Sequence, residues 1–179
     1  MKTKTNVNGA APVAPSSPEL PDHTGTLDQY AALPYKVNER GELKVLLITS
    51  RDTHRWVLPK GWPKTGKLPC QTAQLEAWEE AGLIGPIALE PVGFYRYNKR
   101  MDTGTVVCNV AVFPLAVESR CAAWPEKGQR QGNWLTPEEA AGLVEEPELA
   151  ELLRDFTVTP DSEDTDGADP LRHARALFS

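Results

Sequence analysis

The stretch Trp56–Gly85, WVLPKGWPKTGKLPCQTAQLEAWEEAGLIG, constrains this chain more than any other part of it. It runs from a short apolar segment through a loop rich in Pro, Gly and Lys, then into a helix signal closed by Gly82. A helix turns by about 100° per residue, so positions i, i+3 and i+4 share one face. Glu76, Glu79 and Glu80 therefore point the same way, with Lys60, Lys64 and Lys67 shortly before them. Like charges at that spacing repel and cost stability unless something positive sits among them. A divalent cation is an economical answer. Hard ions such as Mg2+ or Mn2+ take carboxylate oxygens and keep waters and substrate phosphates in their shells.

The rest of the composition sets bounds on partners. A chain of 179 residues suffices for one domain with a sizeable core. No apolar run approaches the roughly 20 residues needed to span a bilayer. The opening residues lack the continuous apolar core of a signal peptide, so the expected location is cytoplasmic, with no membrane partner. Cys70, Cys108 and Cys121 are too few and too widely spaced for a disulfide framework or a close metal-binding pair, and they read as free thiols. A net charge of -6 argues against long nucleic acids as partners. It leaves room for a small phosphorylated substrate, because local lysines and a metal can reverse the field within one site.

Taken in order, residues 1–26 read as a flexible tail, 27–157 as the folded domain and 158–179 as an acidic, flexible tail. Tyr30–Val37 reads as an edge strand, because Pro34 is tolerated chiefly at edges and bulges. A turn at Asn38–Glu42 leads into a buried strand at Leu43–Thr49. Trp56–Leu58 is a short strand, followed by a loop through Gly61, Pro63 and Gly66. The helix begins near Pro69, which suits a first-turn position, and Ala73, Ala77 and Ala81 form a small-residue stripe for packing on a sheet. Pro91–Tyr97 and Thr105–Leu115 are two strands of a long antiparallel arm, which could pair across a homodimer, with Lys99, Arg100, Asp102 and Gly104 in the connection. Trp134–Leu135 is a short strand. Thr136 with Glu139 is a capping box for a short helix, and Pro147–Phe156 is a terminal helix.

The central stretch resembles the Nudix box: Gly, five residues, Glu, seven residues, Arg-Glu, an aliphatic residue, any residue, Glu-Glu, any residue, Gly and an aliphatic residue. Gly61 opens it, Glu76, Glu79 and Glu80 supply its later glutamates, and Gly82 and Leu83 close it. Lys67 stands where the pattern has its first glutamate, Leu75 where it has arginine, and Ala77 where it has a larger aliphatic residue. The resemblance covers residues 28–156. The PKG lead-in, EEAG at the helix end and the WPEKGQRQGNW segment look closest to the diphosphoinositol-polyphosphate phosphohydrolase branch.

The resemblance implies an α/β fold, a mixed-sheet sandwich flanked by helices. It also implies metal-dependent hydrolysis of a diphosphate linkage in a nucleoside diphosphate derivative, a dinucleoside polyphosphate or a diphosphoinositol polyphosphate. Carried over by position, Glu76, Glu79 and Glu80 hold Mg2+ or Mn2+, and Glu79 and Glu80 are the catalytic pair, with the general base left open between them. Arg51, Lys60, Lys64, Lys99, Arg100 and Arg130 are candidate phosphate contacts. In the family pattern the arginine orients the box carboxylates, which Leu75 cannot do, although Lys67 offers compensating charge from the loop. Two other accounts stand beside this one: a Nudix-like binding protein with little or no turnover, and an acidic helix that is merely solvated surface.

Overall fold

The computed structural model describes residues 26–102 and 104–158. The tail readings for residues 1–25 and 159–179 lie outside them. Alternating and continuous apolar runs form one mixed sheet in the order β3-β2-β1-β7-β6. Its members are β1 (Thr26–Val37), β2 (Leu43–Thr49), β3 (Trp56–Val57), β6 (Gly93–Met101) and β7 (Gly104–Ala116). Two short strands join it, β4 (Lys60–Gly61) on β1 and β9 (Gly132–Leu135) on β2. A separate ladder pairs β5 (Leu83–Ile84) with β8 (Ser119–Arg120).

The centre of the sheet is covered on both faces. On one face, α1 (Pro69–Ala81) lays Cys70, Ala73, Ala77 and Ala81 in a cluster with Ala32, Leu46, Ile48 and Phe113. The three alanines are at most 1% exposed, so the small-residue stripe brings the helix close to the strands as expected. On the other face, α2 (Pro137–Ala141) and α3 (Pro147–Asp155) contribute Ala140, Leu149 and Leu153 to a cluster with Leu33, Val45, Leu47 and Tyr95. The result is a mixed sheet between helices, the architecture that the resemblance implies.

The local signals hold. Gly41, at φ 77°, turns the chain between β1 and β2. Thr136 Oγ1 accepts from the Glu139 N–H while a Glu139 carboxylate oxygen accepts from the Thr136 N–H, closing the capping box of α2. Gly82 takes the left-handed conformation that ends α1. Three expectations change. β1 is not an edge strand: it pairs in parallel with β7 along Thr26–Tyr35 and lies near the middle of the sheet. Pro34 is accommodated because β1 changes partners there, from β4 at Tyr30 and Ala31 to β2 at Tyr35–Val37. The residues after Pro59 are not all loop, since Lys60 and Gly61 form β4. Lys99 and Arg100 lie within β6 rather than in the connection to β7.

Candidate active site

β4 and α1 bring the two halves of the central stretch together. A Cβ placed on Gly61 would lie 2.1 Å from Glu76 Oε1, so only glycine lets this backbone approach the helix. The Lys60 N–H donates to Glu80 Oε2 at 3.2 Å. Glu76 and Glu80 thereby face a place lined also by residues of β1, β3, β4 and β6.

A cavity of about 420 Å³ opens at that place. Of the residues singled out in the sequence, Arg51, Lys60, Lys64, Lys99, Arg130, Glu76 and Glu80 line it. Trp62 also lines it, and Gln29, Tyr97 and Glu126 join unanticipated. Gln29 is buried in β1 and accepts a 2.6 Å hydrogen bond from Tyr97 Oη, which ties β1 to β6 across the cavity floor. Gln29 lies one residue before the strand read from the sequence, which in the structure begins at Thr26, so no local signal marked it. A larger groove of about 670 Å³ lies between β6 and α3, lined by residues such as Phe94, Leu152 and Phe156, and holds none of the α1 glutamates. Glu76 and Glu80 of α1 and five of the basic residues singled out in the sequence lie at the smaller cavity.

Two sequence-derived site residues do not line it. Arg100 is exposed, because side chains alternate along β6: Tyr95, Tyr97 and Lys99 turn inward while Phe94, Arg96 and Arg100 turn outward. Glu79 is turned toward the box loop, where its Oε2 accepts from Lys64 Nζ at 2.9 Å. Lys67, the expected source of compensating charge, is exposed, and Lys64 takes that place instead.

Each of the three carboxylates has a basic partner from this chain. Lys64 Nζ lies 2.8 Å from Glu76 Oε1 and 2.9 Å from Glu79 Oε2. Arg130 pairs with Glu80 and is itself fixed by Glu126 at 2.7 Å and by the Thr49 carbonyl at 3.1 Å. The WPEKGQRQG segment delivers this arginine. It is anchored by the Gln131 N–H on Thr49 Oγ1 at 3.0 Å and by the Glu126 N–H on the Glu79 carbonyl at 3.0 Å. Trp124 of that segment packs so closely against Gly82 that a Cβ there would lie 2.5 Å from its ring.

Burial pushes the Glu80 carboxyl up to about 7, Glu76 adds to the rise, and Arg130 and Lys60 oppose it. Burial also pulls the Lys60 ammonium below the usual lysine range, against the attraction of Glu80 and Glu146. Partial burial would lower Lys64 too, but Glu76 and Glu79 outweigh it and hold its ammonium above the ordinary range.

Among the described residues no three His, Cys, Asp or Glu side chains are grouped as a metal cage. The donor chemistry still suits Mg2+ or Mn2+. Such ions are usually held by one or two carboxylates together with waters and substrate phosphates, and Glu76 and Glu80 are two hard-oxygen donors on one cavity wall.

The fold and site together define an α/β domain with a mixed sheet between helices and a cavity where the acidic face of α1 meets five basic side chains. The sequence profile of the NUDIX domain matches residues 28–156. The chain belongs to the Nudix family. It is 29% identical to Nudix hydrolase 13, mitochondrial, of Arabidopsis thaliana over 126 residues, covering 67% of this chain and 62% of that protein. With Nudix hydrolase 21, chloroplastic, of the same plant it shares 32% over 123 residues, covering 68% and 61%. The match thus spans about three-fifths of these relatives' length. In fold it is similar to the Ap4A hydrolase of C. elegans, with a TM-score of 0.53, 18% identity, and coverage of 72% of this chain and 94% of that one.

Proposed function

We propose that this chain is a metal-dependent hydrolase that cleaves a diphosphate linkage in a small phosphorylated metabolite. The observation that carries the reading is the division of charge in one cavity, with Glu76 and Glu80 on the helix wall and Arg51, Lys60 and Lys99 around them. Mg2+ or Mn2+ would be held by Glu76 and Glu80, supplying Lewis-acid neutralisation of phosphoryl charge and a more acidic water. Lys60 and Lys99 would bind and orient the phosphates, and Arg51 would meet them at the rim beside Glu126, 3.4 Å away. Glu80 is the better placed of the two catalytic candidates. It lines the cavity, where the Lys60 N–H and Arg130 hold its carboxylate within reach of a bound substrate and its attacking water. Glu79 serves from behind, in the Lys64 contact.

Within this class the cavity favours a substrate dense in phosphate, such as a diphosphoinositol polyphosphate. The ring faces of Trp62 and Tyr97 already carry Lys99 and Lys60 ammonium groups at 4.7 and 5.2 Å, so they present charge rather than open stacking surface. A binding protein without turnover is the second reading, and the neutralisation of all three box carboxylates by Lys64 and Arg130 favours it. Product analysis over a panel of dinucleoside polyphosphates, nucleoside diphosphate derivatives and diphosphoinositol polyphosphates, with Mg2+ or Mn2+, separates the two. Metal-dependent cleavage, fastest on the diphosphoinositol polyphosphates, is expected; saturable binding with no product from any of them would leave the binding reading in its place.

A further inference from the structure

Lys64 and Arg130 hold the α1 carboxylates in different ways. Arg130 is 8% exposed in its side chain and is fixed by Glu126 and the Thr49 carbonyl as well as by Glu80. Lys64 projects from the loop between β4 and α1, is 30% exposed in its side chain, and among the described residues makes its ion pairs only with Glu76 and Glu79. Glu76 cannot retreat from it readily, because its carboxylate lies tight against the Gly61 backbone. A divalent cation on Glu76 would sit within a few ångström of the ammonium, and two positive charges that close repel even through water. A lysine carries its charge on a flexible four-carbon stem, so of the two groups it is the lysine that can swing away.

We propose that Lys64 is an exchangeable internal counter-ion, the rival of the divalent cation for Glu76, with Glu79 holding the ammonium on its other side. With no metal bound it removes the repulsion along the helix face and lets α1 fold against the sheet with its acid register intact. Metal entry then exchanges one ammonium for one divalent ion. A metal that arrives with a diphosphate binds more readily than the free ion, because the anion provides a new partner for the displaced ammonium. The inference rests on the metal-dependent reading above.

The test is direct Mn2+ titration, by electron paramagnetic resonance, of full-length wild type, Lys64→Met, Lys64→Gln and Lys64→Arg, each with and without methylenediphosphonate. Lys64→Met and Lys64→Gln are expected to bind free Mn2+ at least about threefold more tightly than wild type, and Lys64→Arg to stay within about twofold. Methylenediphosphonate should tighten Mn2+ binding more in wild type than in the two neutral variants. Without metal the neutral variants should melt below wild type, and Mn2+ should restore more of their stability. Equal or weaker Mn2+ binding by both neutral variants, with wild type still binding, would overturn the counter-ion role and leave the hydrolase reading standing. No Mn2+ bound by any form, with or without methylenediphosphonate, would end the metal-dependent reading and this inference together.

Discussion

At Gly61 the cavity wall has no room for a side chain. The added Cβ of Gly61→Ala would meet Glu76 Oε1 at 2.1 Å and its Cδ at 2.3 Å, so the carboxylate or strand β4 must shift. The backbone needs no left-handed conformation there, and the requirement is one of space alone. Gly61→Ala is therefore expected to lower turnover at least tenfold, since small misplacements of a positioning group cost about a hundredfold. It should destabilise the fold by only about 1–3 kcal/mol, as overpacking does. Turnover within twofold of wild type, measured beside a urea unfolding curve, would show that Glu76 is free to move. The register of Glu76, Glu79 and Glu80 was legible because helix periodicity is local. Their partners were only partly so. Arg130 is 50 residues from Glu80, and only the folded WPEKGQRQG segment brings the two together. Lys99 could have been told from Arg100 by the alternation that turns Tyr95 and Tyr97 inward.

Among the elements, α1 carries stability and, on the proposed function, the chemistry as well, while α2 is expected to bear on stability alone. Ala77 is fully buried where the helix meets the sheet, so Ala77→Leu must push α1 outward and should cost about 1–3 kcal/mol. Because Glu76 and Glu80 ride on the same helix, turnover should fall as well. Thr136→Ala removes the cap of α2, on the sheet face away from α1, and should cost about 1 kcal/mol with turnover per folded molecule unchanged. Unfolding curves and steady-state rates on the two variants check this contrast, and equal effects on turnover would refute it. Most elements were readable from their own sequence, since the caps at Thr136 and Gly82 and the turn at Gly41 act within a few residues. β1 was not readable in its place. The rule that sends proline to sheet edges is local, whereas the change of partner at Pro34 depends on where β2, β4 and β7 lie.

Across the whole molecule a net charge of -6 coexists with a cavity lined by Arg51, Lys60, Lys64, Lys99 and Arg130. The fold gathers these from five separate places: the turn after β2, strand β4, the loop before α1, strand β6 and the segment before β9. No composition argument could locate that inversion of charge, because it exists only once the sheet has formed. The same assembly makes Glu80 the point where the box helix, β4 and the Arg130 segment converge. On the proposed function, the proton transfer takes place there. That placement is tested most directly by comparing metal-supported phosphate release by wild type and by Glu80→Gln on the preferred diphosphate substrate. A drop of at least about tenfold in kcat is expected, as for loss of a positioned proton acceptor, with an unchanged circular dichroism spectrum. Undiminished release by Glu80→Gln would place the chemistry elsewhere in the molecule.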